Sequence, residues 1–255
     1  GKRLRARFCL AGWQAVAETR SPAEAASTPG DDVIAAAAAL EIFHAAALVH
    51  DDLIDNSDTR RGRPAAHRAL EAAHRAAGWA GDAEAFGRSG AILLGDLLVA
   101  WSDDLLEAGL RTAEHAAAAR EVYALMRREV TVGQFLDIAE EAAFVTAPTD
   151  EHAARALRVA SLKSARYSVQ HPLLLGARLA GADATQASAL SAFGHPLGLA
   201  FQLRDDVLGV FGDSAVTGKP SGDDLREGKR TVLVAYAREA LDQFIAAGDG
   251  LAALD

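Results

Sequence analysis

The chain has 255 residues, half of them apolar and about a quarter charged, and its 26 basic and 35 acidic side chains give a formal net charge of −9. This composition is typical of a globular protein, and the negative charge argues against a general nucleic-acid binder, which needs a basic face. The single cysteine, Cys9, excludes an intrachain disulfide and a multi-cysteine metal site. No apolar run approaches the roughly 20 residues of a membrane span, so we expect a cytoplasmic protein that is not integral to a membrane.

Long helices are predicted along the whole chain, because alanine and leucine dominate it and prolines are few. The predicted helices span residues 4–20, 32–56, 64–76, 84–108, 111–143, 150–181, 184–211 and 223–247. Pro29 and Gly30 break the chain before the second helix, and Asp31 is a suitable N-cap. No linker divides the sequence, so we expect a single all-α domain over 1–255, a bundle of long helices. Because the chain opens on Gly1-Lys2-Arg3 and not on Met, we expect the N-terminus of the protein to be missing.

One imidazole and two carboxylates share a face at the end of the second predicted helix. At about 100° per residue, Asp51 and Asp55 lie about 40° apart, and His44 lies about 20° from Asp51 two turns earlier. Mg²⁺ commonly takes one or two protein carboxylates and completes its shell with waters and substrate phosphates. Arg60 and Arg61 follow, and arginine binds phosphate oxygens in pairs. The pattern predicts a diphosphate site; a solvated acidic helix end is the alternative.

A second polar segment repeats this arrangement near the end of the seventh predicted helix. Gln202 and Asp206 lie about 40° apart on the helix, and Asp205 lies about 60° from Gln202 on its other side. Lys219 and Lys229 follow on the loop and at the start of the next helix. Two such sites could hold one diphosphate with its cations from both sides, and an ordinary helix end with a polar loop is the alternative.

These motifs resemble those of the trans-prenyltransferases, the polyprenyl diphosphate synthase family. The segments that carry the resemblance are Gly1-Lys2-Arg3, Asp51-Asp52-Leu53-Ile54-Asp55, Arg60-Arg61-Gly62, Lys163-Ser164, Gly198 to Asp206, Lys219 and Lys229. The resemblance runs from residue 1 to about residue 235. In the family the first of these motifs normally follows further helices, so the resemblance implies that N-terminal helices are missing. Gly209 stands where the second acidic motif of the family usually ends in Asp, so one carboxylate of that motif is absent.

The resemblance implies the all-α isoprenoid synthase fold, with helices around a central cavity, and a role for each matched residue. Isopentenyl diphosphate would be held by Lys2, Arg3, His44 and Arg61. The ligands of about three Mg²⁺ ions would be Asp51, Asp55 and Asp205, with Asp52 and Asp206 orienting waters around them. The allylic diphosphate would be held by Arg60, Lys163, Ser164, Gln202, Lys219 and Lys229. The implied reaction is a head-to-tail condensation, in which the departing diphosphate leaves an allylic cation that the isopentenyl double bond attacks.

Product length should depend on the side chains that precede Asp51, because the growing tail is expected to follow this helix toward its N-terminus. One helical turn and one isoprene unit are both about 5 Å long. Ala47 and Ala46 are small, whereas Phe43 is bulky and Leu40 lies below it. This pattern predicts a product longer than fifteen carbons, geranylgeranyl diphosphate first, with C25–C30 products or farnesyl diphosphate as alternatives.

Other classes of protein remain open on the sequence alone. A terpene cyclase would share the fold but usually carries an Asn/Ser/Glu metal motif, which the sequence lacks. A non-catalytic subunit of a heteromeric synthase would have lost motif residues, whereas this sequence keeps nearly all of them. A phosphohydrolase of the His–Asp type would need more ligands; His50 points about 100° away from Asp51 and is assigned no role. The resemblance also implies a homodimer, for which the segment 84–135 is the candidate contact, with Ile92, Leu93 and Leu97 on it.

Overall fold

The structure is a computed structural model that describes residues 2–19, 28–212, 222, 225 and 228–252. Its elements in chain order are α1 (Leu4–Ala17), α2 (Asp31–Ile54), β1 (Thr59–Arg60), β2 (Arg63–Pro64), α3 (Ala66–Ala76), α4 (Ala83–Leu110), α5 (Ala116–Ala143), a 3₁₀ turn (Thr149–Glu151), α6 (His152–Val159), a π-helical segment (Ala160–Gln170), α7 (His171–Leu179), α8 (Ala184–Phe211) and α9 (Val232–Ala252). The all-α class is confirmed, since the described strands are two residues each.

The helices form close to the predicted bounds, with three differences. The predicted helix 150–181 is divided into a 3₁₀ turn, α6, the π-helical segment and α7. The last predicted helix, 223–247, corresponds to α9, which begins at Val232; of the residues 223–227, only Leu225 is described, and it is helical. The third difference is the hairpin β1–β2, which was not predicted and in which Thr59 pairs with Pro64 and Arg60 with Arg63.

The hairpin turns at Arg61 and Gly62, both of which have positive φ angles, 54° and 71°. Positive φ at both central residues is the geometry of the tight hairpin turn whose twist matches that of its strands. Glycine adopts this geometry without strain. The turn folds the chain back immediately after the first acidic motif and so presents Arg60 to the end of α2.

The chain folds as two compact units, Gly1–Val122 with Pro172–Leu190, and Tyr123–His171 with Ser191–Asp255. In the first unit α2 packs against α1 and α4. Its buried side chains include Val33, Leu40 and Phe43. The fully buried Ser102 of α4 donates a hydrogen bond of 2.7 Å to the backbone carbonyl of Ala39, which satisfies a buried hydroxyl and fixes the register of the two helices.

One described helix, α2, is long and apolar enough to cross a membrane by length and composition, with a mean hydropathy of 1.8. The expectation that no segment would meet this criterion is therefore wrong, because Glu41 interrupts the run without lowering its mean hydropathy enough. Core helices of soluble proteins pass the same test. We assign α2 to the core of the first unit, since it packs against α1 and α4 and its last turns carry Asp51 and Asp52.

The second unit is built from most of α5, from α6, the π-helical segment, most of α8, and α9. Ion pairs and a hydrogen bond link its helices. Glu129 of α5 pairs with Arg166 at 2.6 Å and accepts a hydrogen bond from His171 at 2.7 Å, and Arg155 of α6 pairs with Glu140 at 2.7 Å. α5 is thus tied to both the π-helical segment and α6.

Candidate active site

The first acidic motif occupies the last turn of α2, where Arg60 of the hairpin contacts two of its carboxylates. Arg60 Nε donates to Asp52 Oδ1 at 2.8 Å, and Nη2 donates to Asp52 Oδ1 and, at 3.4 Å, to Asp51 Oδ2. The Asp52 side chain is only 4% exposed. Burial alone would lower the pKa of Arg60, but the hydrogen bond and charge of Asp52 outweigh it and raise that pKa above its ordinary value. Asp52 is therefore the ion-pair partner of Arg60, a contact that the sequence did not predict.

Asp51 and Asp55 keep the helical relation predicted for them. The Asp55 backbone N–H donates to the Asp51 carbonyl at 2.8 Å, so both residues belong to one continuous helical turn, and both side chains are half-buried. Among the described residues, no three His, Cys, Asp or Glu side chains form a group that could hold a metal alone. The carboxylates of Asp51 and Asp55 fit Mg²⁺, a cation that uses few protein carboxylates and takes further oxygens from water and phosphate.

His44 lies among cationic side chains in the same unit. Burial, together with the charges of Arg5, Arg61 and Arg60, lowers its pKa to about 3, against the opposing charge of Asp51. The imidazole is therefore neutral at pH 7. Three guanidinium groups acting on one neutral ring form a site suited to an anion.

Arg5 is a site residue that sequence analysis missed. It lies in the first turn of α1, two residues after Arg3, and its closeness in sequence to the basic residues Lys2 and Arg3 is the signal that could have found it. Lys2 and Arg3, which were predicted for the isopentenyl diphosphate, are exposed at the start of α1. Arg61, predicted for the same diphosphate, lies close enough for its charge to lower the pKa of His44.

Replacing His44 by glutamine should reduce the acid sensitivity of the fold. The pKa of His44 is about 3 in the folded chain and about 6.5 when unfolded, so below pH 6.5 the unfolded chain binds a proton that the folded chain does not. The free energy of unfolding of the wild type therefore falls as the pH drops from about 6.5 toward 3. Urea unfolding at pH 7.5 and pH 5 should show a smaller loss of unfolding free energy in His44→Gln than in the wild type. An equal loss in both proteins would contradict the neutral, half-buried imidazole.

His50 attaches the end of α2 to α4. Its Nε2 lies 3.3 Å from the Ile92 carbonyl, to which it donates, and 3.5 Å from Asp96 Oδ1. The ring lies over Gly95, where a Cβ atom would come within 2.1 Å of Nε2. His50, which was assigned no role, directly precedes Asp51 and thus fixes this end of α2 along α4. The contact joins two helices, so no local pattern predicts it.

The second acidic motif lies on α8 in the second unit. Gln202 Nε2 donates to Asp206 Oδ1 at 2.7 Å, so the two residues share one face of the helix, as their spacing predicted. Asp206 is buried, whereas Asp205 is exposed, so Asp205 presents the more accessible carboxylate. The Gly209 carbonyl, at the position where the family usually has Asp, accepts a hydrogen bond of 3.0 Å from the Gly222 N–H.

The basic residues predicted for the second unit are placed as follows. Lys163 and Ser164 are half-buried in the π-helical segment, and Lys163 Nζ donates to Asp137 Oδ2 of α5 at 2.5 Å. Lys229 is half-buried just before α9. Lys219 lies outside the described residues. Sequence analysis missed Asp137. The available signal is its spacing of four residues from Gly133 on α5, which places both residues on one helical face.

The residues predicted to limit product length lie on α2. Leu40, Phe43 and Ala46 are 0%, 6% and 1% exposed and belong to the core of the first unit. Ala47, one turn before Asp51, is half-buried. Of these four positions, Ala47 is therefore the most open.

Comparisons with known proteins agree with these motifs. Residues 1–246 match the family model described as polyprenyl synthetase. The chain is 38% identical over 220 residues to the geranylgeranyl diphosphate synthase of Mycobacterium tuberculosis, covering 84% of this chain and 55% of that protein. It is 34% identical over 249 residues to the geranylfarnesyl diphosphate synthase of Natronomonas pharaonis, covering 94% of this chain and 65% of that protein.

The structural comparison leads to the same family. A geranylgeranyl pyrophosphate synthase from Corynebacterium glutamicum, solved in complex with isoprenyl diphosphate and magnesium, superposes with a TM-score of 0.87 at 46% identity, covering 95% of this chain and 66% of that one. The chain thus spans between 55% and 66% of the length of these three proteins. It belongs to the polyprenyl synthetase family and has the all-α isoprenoid synthase fold.

Proposed function

We propose that the chain carries the active centre of a prenyltransferase that extends an allylic diphosphate with isopentenyl diphosphate, as a cytoplasmic enzyme. The observation that carries the proposal is the contact of Arg60 with Asp52 and Asp51 beside the cationic group around His44. Acidic and basic side chains in one partly buried place suit a diphosphate with its cations. The names of the relatives, which are geranylgeranyl and geranylfarnesyl diphosphate synthases, support the same reaction.

Asp51, Asp55 and Asp205 are the proposed ligands of Mg²⁺, with about three ions in the complete site. Bound Mg²⁺ would act as a Lewis acid on the diphosphate. The allylic diphosphate would bind to Arg60, Lys163, Ser164, Gln202, Lys219 and Lys229. The isopentenyl diphosphate would bind to Lys2, Arg3, Arg5, His44 and Arg61. His44, being neutral, can donate one N–H to a phosphate oxygen while its other ring nitrogen accepts.

The protein groups have two further tasks in this reaction. The cationic side chains stabilise the negative charge that develops on the departing diphosphate. The apolar wall of α2 before Asp51 excludes water, which would otherwise convert the allylic cation into an alcohol. No protein nucleophile is required, and the released diphosphate is the proposed base for the final proton.

A transfer assay tests this proposal against the non-catalytic alternative. The purified protein, without any partner protein, is incubated with labelled isopentenyl diphosphate and with dimethylallyl, geranyl or farnesyl diphosphate. We expect label in an extractable product only when both an allylic primer and Mg²⁺ are present. Transfer that continues in excess chelator, or that requires a second protein, would contradict the proposal.

We propose geranylgeranyl diphosphate as the main product, with C25–C30 products as the alternative, and predict that α2 limits the length. Ala47→Phe should shorten the product by adding a ring one turn below Asp51, and Phe43→Ala should lengthen it. Chromatography of the products with an allylic primer measures both effects. The wild type should yield mainly twenty carbons or more; chiefly farnesyl diphosphate, or unchanged lengths in both variants, would mean that the tail does not follow α2.

We also propose a homodimer that uses α4. Ile92, Leu93 and Leu97 are 48%, 69% and 44% exposed on this helix in the single chain, and contiguous exposed apolar side chains mark protein contacts. Light scattering at micromolar concentration should give twice the mass of one chain, and the Leu93→Asp variant should have the mass of a single chain. A single-chain mass for the wild type would refute the dimer.

A further inference from the structure

We propose that Asp137 is a positioning residue that orients the ammonium of Lys163 for the allylic diphosphate, and that Gly133 on the same helix allows the contact. The inference rests on the proposed function, because Lys163 is there assigned to that diphosphate. Neither Asp137 nor Gly133 belongs to the residues that the sequence motifs predicted.

The contact itself is short and shielded from water. Lys163 Nζ lies 2.5 Å from Asp137 Oδ2, and the two side chains are only 21% and 19% exposed. A hydrogen bond between two ionised groups is stronger than one between neutral groups. A lysine side chain has many rotamers, and holding it in one of them costs conformational entropy. The carboxylate therefore selects one position of the ammonium before any substrate binds.

The backbone that carries Lys163 is held in close contact with two helices. A Cβ atom on Gly133 of α5 would lie 2.4 Å from the Lys163 backbone nitrogen, and one on Gly198 of α8 would lie 2.5 Å from the Ala165 carbonyl oxygen. Both distances are shorter than a Cβ atom can approach a backbone atom, so only glycine fits at these two positions. The π-helical segment therefore lies directly against two glycines. π-Helical turns are rare and frequently occur at functional sites.

Gly133 and Asp137 act from one face of α5. They are four residues apart, so they point in nearly the same direction, one turn after the other. The glycine lets the two backbones meet, and the carboxylate one turn further along reaches the end of the lysine side chain. The same helix thus determines the position of both ends of Lys163.

Orientation of this ammonium has a direct consequence for binding. A lysine ammonium has three N–H donors. One is donated to Asp137, and the direction of that bond restricts the directions in which the other two can point toward diphosphate oxygens. Donors aimed beforehand at developing charge require no reorganisation during the reaction. Asp137 is itself negative and would repel a diphosphate, so it does not bind the diphosphate directly, and its proposed contribution passes through Lys163.

A double-mutant cycle tests this coupling in the complete enzyme. We expect Asp137→Ala to lower kcat/KM for the allylic diphosphate about tenfold, the size expected for one hydrogen bond to a charged group, and to leave KM for isopentenyl diphosphate unchanged. Asp137→Asn should lose less, since its amide oxygen still accepts. In a Lys163→Ala background, Asp137→Ala should have no further effect.

The matched control is Glu140→Ala on the same helix, which breaks the ion pair with Arg155 and leaves Lys163 untouched. It should retain the wild-type kinetic constants, and thermal unfolding of each variant monitors the fold. A tenfold loss that persists in the Lys163→Ala background, or that disappears at higher Mg²⁺, would overturn the inference, because Asp137 would then act on metal or on the fold. A wild type that elongates nothing would overturn the proposed function, whereas an active wild type without coupling overturns this inference alone.

Discussion

Asp51→Ala should lower the rate of chain elongation by at least about 100-fold, the scale expected for removing one electrostatic stabiliser from an active site. Asp51 ends the apolar run of α2, lies one helical turn before Asp55, and contacts Arg60. Its loss removes a proposed Mg²⁺ ligand and one of the two carboxylates that Arg60 contacts. The measurement is steady-state turnover over a range of Mg²⁺ concentrations.

Asp58→Ala is the control for this variant. Asp58 lies seven residues further along, is 66% exposed and pairs with Arg68 at 2.7 Å, so its replacement removes the same charge outside the motif. It should keep activity within a few fold of the wild type, as expected for an exposed ion pair. Equal losses in both variants would mean that net charge, and not the ligand position, determines the rate.

Arg60→Ala should be the most damaging single change to both stability and activity. Arg60 is the ion-pair partner of Asp52, whose side chain is only 4% exposed, and removing one partner of a buried pair leaves an uncompensated charge. We expect the free energy of unfolding in urea to fall by about 3 kcal/mol. Elongation should fall by at least about 100-fold, since a proposed diphosphate ligand is lost.

A second variant separates these two effects. Arg60→Ala combined with Asp52→Asn removes the buried charge together with its partner, so stability should recover in part. Activity should not recover, because the guanidinium is still absent. If the double variant is as unstable as Arg60→Ala, Asp52 is not the residue that requires Arg60. If its activity returns, Arg60 does not bind substrate.

Helical periodicity predicted the parts of the fold and site that depend on neighbours in the sequence. The one-turn relation of Asp51 to Asp55 and the hydrogen bond between Gln202 and Asp206 both follow from a repeat of about 3.6 residues. These contacts lie within single long helices rich in alanine and leucine. A local pattern is sufficient for such contacts because both partners belong to the same helix.

The remaining features depend on contacts between elements, and the sequence did not reveal them. The hairpin that brings Arg60 to Asp52 needs a positive φ at Arg61, which arginine does not favour. The contact of His50 with Gly95 and that of Lys163 with Asp137 each join two helices. Nothing in the residues 160–170 themselves predicts a π-helical turn.

Mass identification of the product tests the central claim most directly. The purified protein is incubated with isopentenyl diphosphate, an allylic primer and Mg²⁺, and the organic products are analysed by mass spectrometry before and after phosphatase treatment. The proposed reaction predicts linear prenyl diphosphates that exceed the primer by whole isoprene units, with the twenty-carbon species most abundant. A hydrolysed primer or a cyclic hydrocarbon as the main product would contradict it.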